Sequence, residues 1–179
     1  MPEQLPLSGV EKRFTPYRFI VLASLLSAMV LVSIHAISPF SIKAPDVTFT
    51  TITGKKIALK ELRDKPVIVT FWATDCPGCI KETPDLIDLY TQYHKQGLEI
   101  IAVAMYYDPP NHVITLTEDL HLPYNVALDL QAEHAHAFGD VQLTPSTFLI
   151  DPDGLIALKI TGAFDLAEMK TRVETFTKG

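Results

Sequence analysis

The sequence is poor in cysteine and in basic residues, and each scarcity excludes a class of protein. Only two cysteines occur in 179 residues, too few for a disulfide-rich scaffold or a four-cysteine zinc site. Residues 41–179 carry twelve Lys and Arg against nineteen Asp and Glu, so no basic stripe indicates nucleic-acid binding. Internal repeats and low-complexity tracts are also lacking. With 47% hydrophobic residues, the composition is that of a folded chain with an additional apolar segment.

The apolar segment is residues 19–37, nineteen residues without Asp, Glu, Lys or Arg. A helix of that length spans roughly 28 Å, close to the hydrocarbon thickness of a bilayer. A cleaved signal peptide has an apolar core of only about 7–15 residues. The nearest small-residue pair, Ala36 and Ser38, would also place Pro39 just after the cut. We therefore expect an uncleaved transmembrane anchor.

The charges beside this segment predict its orientation. Three basic residues, Lys12, Arg13 and Arg18, precede the span, while only Lys43 follows it closely. Basic flanks stay cytoplasmic. We expect a single-pass protein of the bacterial inner membrane with a cytoplasmic tail, an anchor, a linker and a folded periplasmic domain, at residues 1–18, 19–37, 38–44 and 45–179.

The folded domain alternates strand-like and helix-like segments, which predicts an α/β fold with a central sheet. Several of the predicted strands are apolar throughout, as expected of strands buried on both faces. The predicted strands are residues 47–49, 67–73, 100–105, 147–150 and 155–160; the predicted helices are residues 79–93, 113–120, 131–138 and 165–177. The sequence DPDG at 151–154 predicts a hairpin turn between the last two strands.

The two cysteines, Cys76 and Cys79, form the motif CPGC directly after a buried strand. A zinc site would need further ligands from histidines, and His134 and His136 are two residues apart, so they point in different directions on one helix. A structural disulfide across so small a loop gains little chain entropy. Pro77 favours a helix that begins directly after Cys76. The thiolate of Cys76 would be stabilised by that helix terminus, and Cys79 would be more shielded.

Three ordered segments resemble membrane-tethered TlpA- and ResA-type thiol-disulfide oxidoreductases of the thioredoxin-like family. They are APDVTFTTITGKKIALKEL from residue 44, KPVIVTFWATDCPGCIKETP from residue 65 and LTPSTFLIDPDGLI from residue 143. The resemblance implies a thioredoxin-like fold, a central mixed sheet flanked by helices, with additional N-terminal strands.

The resemblance also implies a mechanism and a substrate surface. Cys76 would attack a disulfide and Cys79 would resolve the mixed intermediate, so the redox pair itself is the only cofactor expected. Pro145 would follow a cis peptide bond, and the backbone of Thr144 would pair with an extended substrate segment. We expect Pro77 and Gly78 to tune the couple at this surface, and Trp72 to pack beneath the site and shape the surface.

Glu82 has two interpretations. It follows Cys79 by three residues and so shares its helical face, and an ordinary first-turn glutamate there is solvated. The resemblance implies instead a partly buried acid, whose raised pKa would suit proton removal from Cys79. Thioredoxins have an aspartate at the strand position held here by Thr70, and we hypothesise that Glu82 substitutes for it.

The chain departs from the family pattern at Asp75, where an aromatic residue usually precedes the first cysteine. A carboxylate beside Cys76 disfavours the thiolate and so raises the cysteine pKa. A weaker leaving thiolate suits a reductant. We therefore expect a reductase, although an oxidase running in the opposite direction uses the same residues.

The expected partners are proteins with disulfides or thiols, and the expected electron donor is a membrane protein of the DsbD or CcdA kind. By resemblance, the clients would be apocytochromes c or copper-site proteins. Two other classes of protein stay open. One is a copper(I)-binding module in which the two cysteines and a histidine or methionine hold the ion. The other is a thiol peroxidase, whose motif has threonine three residues before the reactive cysteine, the position of Ala73 in this chain. The loop YYDPPNH, residues 106–112, is interpreted as a solvent-facing rim.

Overall fold

The computed structural model describes Ser27 and residues 42–177. The eight strands of residues 42–177 are β1 (Ile42–Lys43), β2 (Thr48–Thr50), β3 (Lys56–Ala58), β4 (Val67–Trp72), β5 (Glu99–Ala104), β6 (Asn125–Leu128), β7 (Ser146–Ile150) and β8 (Leu155–Thr161). The helices of residues 42–177 are α1 (Pro77–Tyr93), α2 (Pro110–Asp119), α3 (Glu133–Ala137) and α4 (Leu166–Thr177), with short 3-10 turns at Leu59–Leu62 and His94–Gln96. The predicted tail and anchor lie outside the described residues, Ser27 excepted. Within the described part, no helix has the length and apolar character needed to cross a bilayer.

The main sheet has six strands in the order β1-β8-β7-β4-β5-β6. Strand β4 is central, parallel to β5 and antiparallel to β7. Strands β5 and β6 are also parallel, so β4, β5 and β6 all end at one edge of the sheet, where β7 begins. Strands β2 and β3 form a separate antiparallel hairpin. This is the mixed sheet with additional N-terminal strands that the family resemblance implies.

The sheet separates two apolar cores because neighbouring side chains of a strand point to opposite faces. From β4, Ile68 and Trp72 enter the core that also contains buried residues of α1, α2 and α4. Val69 and Phe71 enter the other core, which the β2–β3 hairpin and the α3 region cover. Every residue of β4 is buried, as the apolar run predicts. The strand therefore holds its carboxyl end in a fixed position.

One predicted boundary is wrong. The linker was expected to extend from residue 38 to residue 44, but Ile42 and Lys43 form β1 and pair with Ile156 and Leu155. Ala44 is buried, and its N–H donates a 3.0 Å hydrogen bond to the carbonyl of Gly154. An edge strand of two residues has too short a pattern to be distinguished from a linker in the sequence. The domain therefore starts no later than Ile42.

Candidate redox site

The cysteine pair lies where β4 passes into α1. Trp72 ends the strand, and the N–H of Cys76 donates a 3.2 Å hydrogen bond to the carbonyl of Ala73, which closes a tight turn. Helix α1 then begins at Pro77, as the sequence predicts, with Cys76 as its N-cap. Cys76 and Cys79 form a disulfide with their Cα atoms 5.3 Å apart. The strand and the helix thus present both sulfurs at the same edge of the sheet.

The two cysteines have different surroundings. Cys76 is partly exposed, whereas Cys79 is buried within the core beneath α1. The N–H of Cys79 donates a hydrogen bond of 3.1 Å to the Sγ of Cys76 and another of 3.1 Å to its carbonyl, so a backbone donor of the helix terminus faces that sulfur. Such a donor favours a thiolate at Cys76. This is the placement expected of an exposed nucleophile and a shielded resolving thiol.

Glu82 is buried, with 3% of its surface exposed, so it is not a solvated first-turn residue. Its Oε1 accepts a 3.0 Å hydrogen bond from the N–H of Phe164. Burial raises the pKa of Glu82 to about 7; the Phe164 hydrogen bond opposes this change, and the charge of Asp85 adds to it. A carboxyl group with that pKa exchanges protons near neutral pH.

Glu82 and the resolving cysteine, Cys79, line the same small cavity. Its volume is about 10 Å³, and Cys79, Glu82, Thr70 and Tyr124 are among the residues that line it. This is about the smallest space that holds one water molecule. Burial and the charge of Glu82 both raise the pKa of Tyr124, so its hydroxyl stays protonated. Thr70 and Glu82 therefore line the same cavity. This placement is consistent with the hypothesis that Glu82 takes the role of the aspartate that thioredoxins have at the position of Thr70.

Trp72 is buried in the core that also contains residues of α1. Only 5% of its surface is exposed, and it lines the same cavity from below. This burial arises because even-numbered residues of β4 point into the core under α1, and the expected contribution of Trp72 to the substrate surface stays a prediction. Its packing role is confirmed.

The segment before β7 approaches the cysteines as the resemblance implies. The Thr144–Pro145 peptide bond is cis, which confirms that prediction. Gly78 faces Pro145 so closely that a Cβ at Gly78 would lie 3.3 Å from Cδ of the proline. Pro77 is exposed and Thr144 partly exposed, while Pro145 is buried. Pro77, Gly78, Thr144 and Pro145 thus meet at the site, and their roles toward a substrate stay predictions.

Asp108 is a site residue that the sequence did not identify. It belongs to the loop interpreted as a solvent-facing rim, and its neighbours Tyr106 and Tyr107 are indeed exposed. Asp108 itself is buried and accepts hydrogen bonds from the N–H and the hydroxyl of Thr74, at 2.6 and 2.7 Å. The only signal in the sequence was an acidic residue shortly after a predicted buried strand.

Within residues 42–177, no cluster of three or more His, Cys, Asp and Glu side chains is arranged to hold a metal ion. His134 packs against Phe49 with the two rings tilted by 50°, and His136 pairs with Asp140. In this part of the chain, therefore, no metal-ligand cluster combines the two cysteines with a histidine.

Comparison with known proteins agrees with this geometry. The AhpC/TSA family matches residues 41–159. The thiol-disulfide oxidoreductase ResA of Geobacillus thermodenitrificans is 35% identical over 132 residues, 74% of this chain and 75% of that protein. The ResA of Bacillus thuringiensis subsp. konkukian is 35% identical over 137 residues, 76% and 75% of the two chains. A thiol:disulfide interchange protein of the thioredoxin family from Chlorobium tepidum superposes with a TM-score of 0.71 at 25% identity, covering 78% of this chain and 99% of that one.

Proposed function

The chain belongs to the AhpC/TSA family and is a thiol-disulfide oxidoreductase of the ResA type, and from that premise we propose that it reduces disulfides in exported apoproteins. One observation carries the proposal: a partly exposed Cys76 at a helix terminus is bonded to a buried Cys79 that shares a cavity with the buried acid Glu82. This arrangement supplies a nucleophile, a resolving thiol and a proton acceptor in one place.

The exchange proceeds in two displacements. In the reduced protein the Cys76 thiolate attacks one sulfur of the client disulfide, forms a mixed disulfide and releases a client thiolate. The Cys79 thiolate then attacks Sγ of Cys76 and releases the second client thiolate. Two electrons have passed to the client, the two client thiolates take up two protons, and the Cys76–Cys79 disulfide has formed.

Glu82 serves the second displacement. Cys79 is buried as a thiol and has to lose its proton before it attacks. The ionised carboxyl group of Glu82 lines the same cavity and accepts that proton, directly or through one water molecule. Because its pKa is about 7, Glu82 is half ionised near neutral pH and returns the proton readily.

The surface around the cysteines suits a polypeptide client. Four of the large exposed apolar side chains of residues 42–177 follow β5 and β6 or precede β7, at the edge of the sheet that carries Cys76: Tyr106, Tyr107, Leu130 and Leu143. Next to them lies a groove of about 720 Å³, lined by Met105, Tyr106, Leu130 and Val141 among others. Exposed apolar patches of this kind mark sites of protein contact.

The direction of electron flow rests on Asp75. This exposed carboxylate directly precedes Cys76 and opposes the stabilisation of its thiolate by the helix terminus. A destabilised thiolate makes the reduced protein a better donor. We therefore place the protein on the reducing side of disulfide exchange, with an oxidase of the same residues as the alternative.

The proposal extends to location, which the apolar segment and its flanking charges support, and to partners, which the family resemblance supports. The apolar segment at residues 19–37 anchors the protein in the bacterial inner membrane, and its basic flank leaves the redox domain in the periplasm. A membrane protein of the DsbD or CcdA kind re-reduces the Cys76–Cys79 disulfide. The clients are apocytochromes c or copper-site proteins, whose cysteines need to be reduced before they bind haem or metal. No cofactor beyond the redox pair takes part.

The test is the equilibrium potential of the Cys76–Cys79 couple, measured against glutathione by trapping and counting free thiols. A value near that of thioredoxin, about −270 mV, supports a reductase, whereas a value near that of DsbA, about −120 mV, identifies an oxidase. In parallel, bacterial cells that produce the full chain are fractionated into membrane and cytosol. Intact cells are also treated with an alkylating reagent that reaches cysteines only from the periplasmic side. Recovery of the domain in the cytosolic fraction contradicts the anchor. Copper retained stoichiometrically by the reduced protein, and lost in Cys76→Ser, would support the copper(I)-binding alternative.

A further inference from the structure

The carboxylate of Asp108 connects the end of β5 to the turn that carries the nucleophile. Both oxygens are used: Oδ2 accepts from the N–H of Thr74 at 2.6 Å, and Oδ1 accepts from its hydroxyl at 2.7 Å. Asp108 is only 5% exposed, and Thr74 precedes Cys76 by two residues. Hydrogen bonds to a charged acceptor are the stronger ones in proteins, and they gain further when water is excluded.

The turn of residues 73–76 has one internal hydrogen bond of its own, between the N–H of Cys76 and the carbonyl of Ala73. Thr74 is a central residue of that turn, so its N–H is not used within it. Asp108 takes this free donor together with the adjacent hydroxyl. The turn is thereby fixed at two points to a side chain of the loop that follows β5.

Asp108 is itself held in place by the sheet. Its N–H donates a 3.0 Å hydrogen bond to the carbonyl of Met105, and the N–H of Met105 donates one of 3.0 Å to the carbonyl of Trp72. The chain of contacts therefore runs from the end of β4 to the end of β5 and back to the turn after β4. Since both strands are buried and paired in parallel register, this frame is rigid.

We propose that Asp108 is a positioning residue, whose two hydrogen bonds to Thr74 hold Cys76 at the distance and angle needed to react with Cys79 and with a client disulfide. A fixed turn raises the effective concentration of one sulfur at the other, which favours closure of the disulfide and speeds attack. The inference rests on the exchange reaction and holds for either direction of electron flow.

A competing explanation is that Asp108 acts through its charge, as we expect for Asp75. The Asp108→Asn variant distinguishes a positioning role from an effect of charge. Its Oδ1 accepts from the N–H of Thr74 and its Nδ2 donates to the Thr74 hydroxyl, so both contacts persist without the charge. Alanine removes both contacts and the charge. Thr74→Val keeps the shape and the backbone contact but loses the hydroxyl contact.

The experiment compares D108N, D108A and T74V with the parent chain, and Asp75→Asn serves as a charge-only control. Two quantities are measured: the equilibrium constant of the Cys76–Cys79 disulfide against glutathione, and the rate at which reduced Cys76 attacks oxidised glutathione. We expect D108A to lower both by roughly tenfold, which for the equilibrium constant is a potential about 30 mV less negative. D108N should stay within roughly threefold of the parent, and T74V should fall between D108N and D108A.

Two results overturn the inference. If D108N changes the equilibrium constant as much as D108A, the charge and not the position of the turn is responsible. If D108A and T74V melt at lower temperature while both quantities keep their parental values, Asp108 serves stability alone. Should D108A fail to fold, T74V decides: parental values in that variant reject the positioning role. The potential of the parent chain separately tests the reductase proposal, so the two can fail independently.

Discussion

The N–H of Phe164 and the carboxyl group of Glu82 are joined by a 3.0 Å hydrogen bond beneath the redox pair. This contact ties the residues before α4 to the first turns of α1. It also leaves the other oxygen of Glu82 available, in a cavity that Cys79 shares. The hydrogen bond favours the ionised form of Glu82 and burial favours the neutral form, and burial prevails. The chemistry of the site depends on that balance.

The first prediction concerns the pH dependence of the resolving step. In the parent chain, the decay of a mixed disulfide between Cys76 and a peptide thiol should accelerate with an apparent pKa near 7, because Glu82 accepts the proton only when ionised. Glu82→Gln keeps the acceptor for Phe164 but cannot take the proton. We expect it to slow the decay by on the order of 100-fold at pH 8 and to abolish the inflection near pH 7.

Asp85→Asn is the matched control for this measurement. It removes a carboxylate that raises the pKa of Glu82 but leaves Glu82 in place. The inflection should persist and move to lower pH. A Glu82→Gln variant that keeps both the rate and the pH profile of the parent chain would rule out the proposed base.

The second prediction is a pH-dependent stability difference. The pKa of Glu82 rises from 4.5 to about 7 on folding, so the folded state binds the proton more tightly than the unfolded state does. The resulting stability is fully present below pH 4.5 and is lost as the pH rises through about 7. Relative to Glu82→Gln, the parent chain should therefore lose about 3 kcal/mol of unfolding free energy between pH 4.5 and pH 8.

Urea denaturation of the oxidised proteins at several pH values measures this difference. Oxidised protein is used because the cysteines then do not titrate. A free-energy difference that stays constant across the range would show that Glu82 has an ordinary pKa in the folded state.

The third prediction concerns Asp75. Its exposed carboxylate opposes the Cys76 thiolate, so Asp75→Asn should lower the pKa of Cys76. The pH dependence of alkylation by iodoacetamide reports that pKa directly in the reduced protein. High salt should shrink the difference between variant and parent, because exposed charges are screened. If the pKa of Cys76 does not fall, the argument that Asp75 favours a reductase fails.

The fourth prediction tests the turn that closes the β7–β8 hairpin. Gly154 has φ +81° and lies against Arg63, so that an added Cβ would overlap the guanidinium group. Arg63 donates a 2.8 Å hydrogen bond to the carbonyl of Asp153, a contact that Gly154→Ala would break. We expect this substitution to lower the unfolding free energy by about 2 kcal/mol, from the left-handed backbone and the lost contact together.

Gly54→Ala provides the matched control. Gly54 has a similar φ of +83°, but an added Cβ meets no atom within 4 Å. It should cost only the backbone penalty of about 1 kcal/mol. Equal losses for both substitutions, measured by chemical denaturation, would show that Arg63 moves aside without cost.

Long apolar runs and strong turn signals made most of the fold predictable. The run at residues 67–73 and the DPDG turn correspond to β4 and to the β7–β8 hairpin. Strands β1, β3 and β6 were missed because segments of two to four residues carry little periodicity, although β2, with three residues, was predicted. For the same reason, the end of the predicted linker turned out to be an edge strand.

The sequence by itself determined the redox pair, since a buried strand, a CPGC motif and a proline at the first helical position are local features of one short segment. Only the tertiary structure decided which acids act on that pair. Glu82 is buried beneath the segment that contains Phe164, which follows it by 82 residues in the chain. Asp108 contacts Thr74, from which it is separated by 34 residues. Such contacts depend on the parallel register of β4 and β5 and on the packing of α4 against α1, and no local pattern encodes the distance between elements so far apart in the chain.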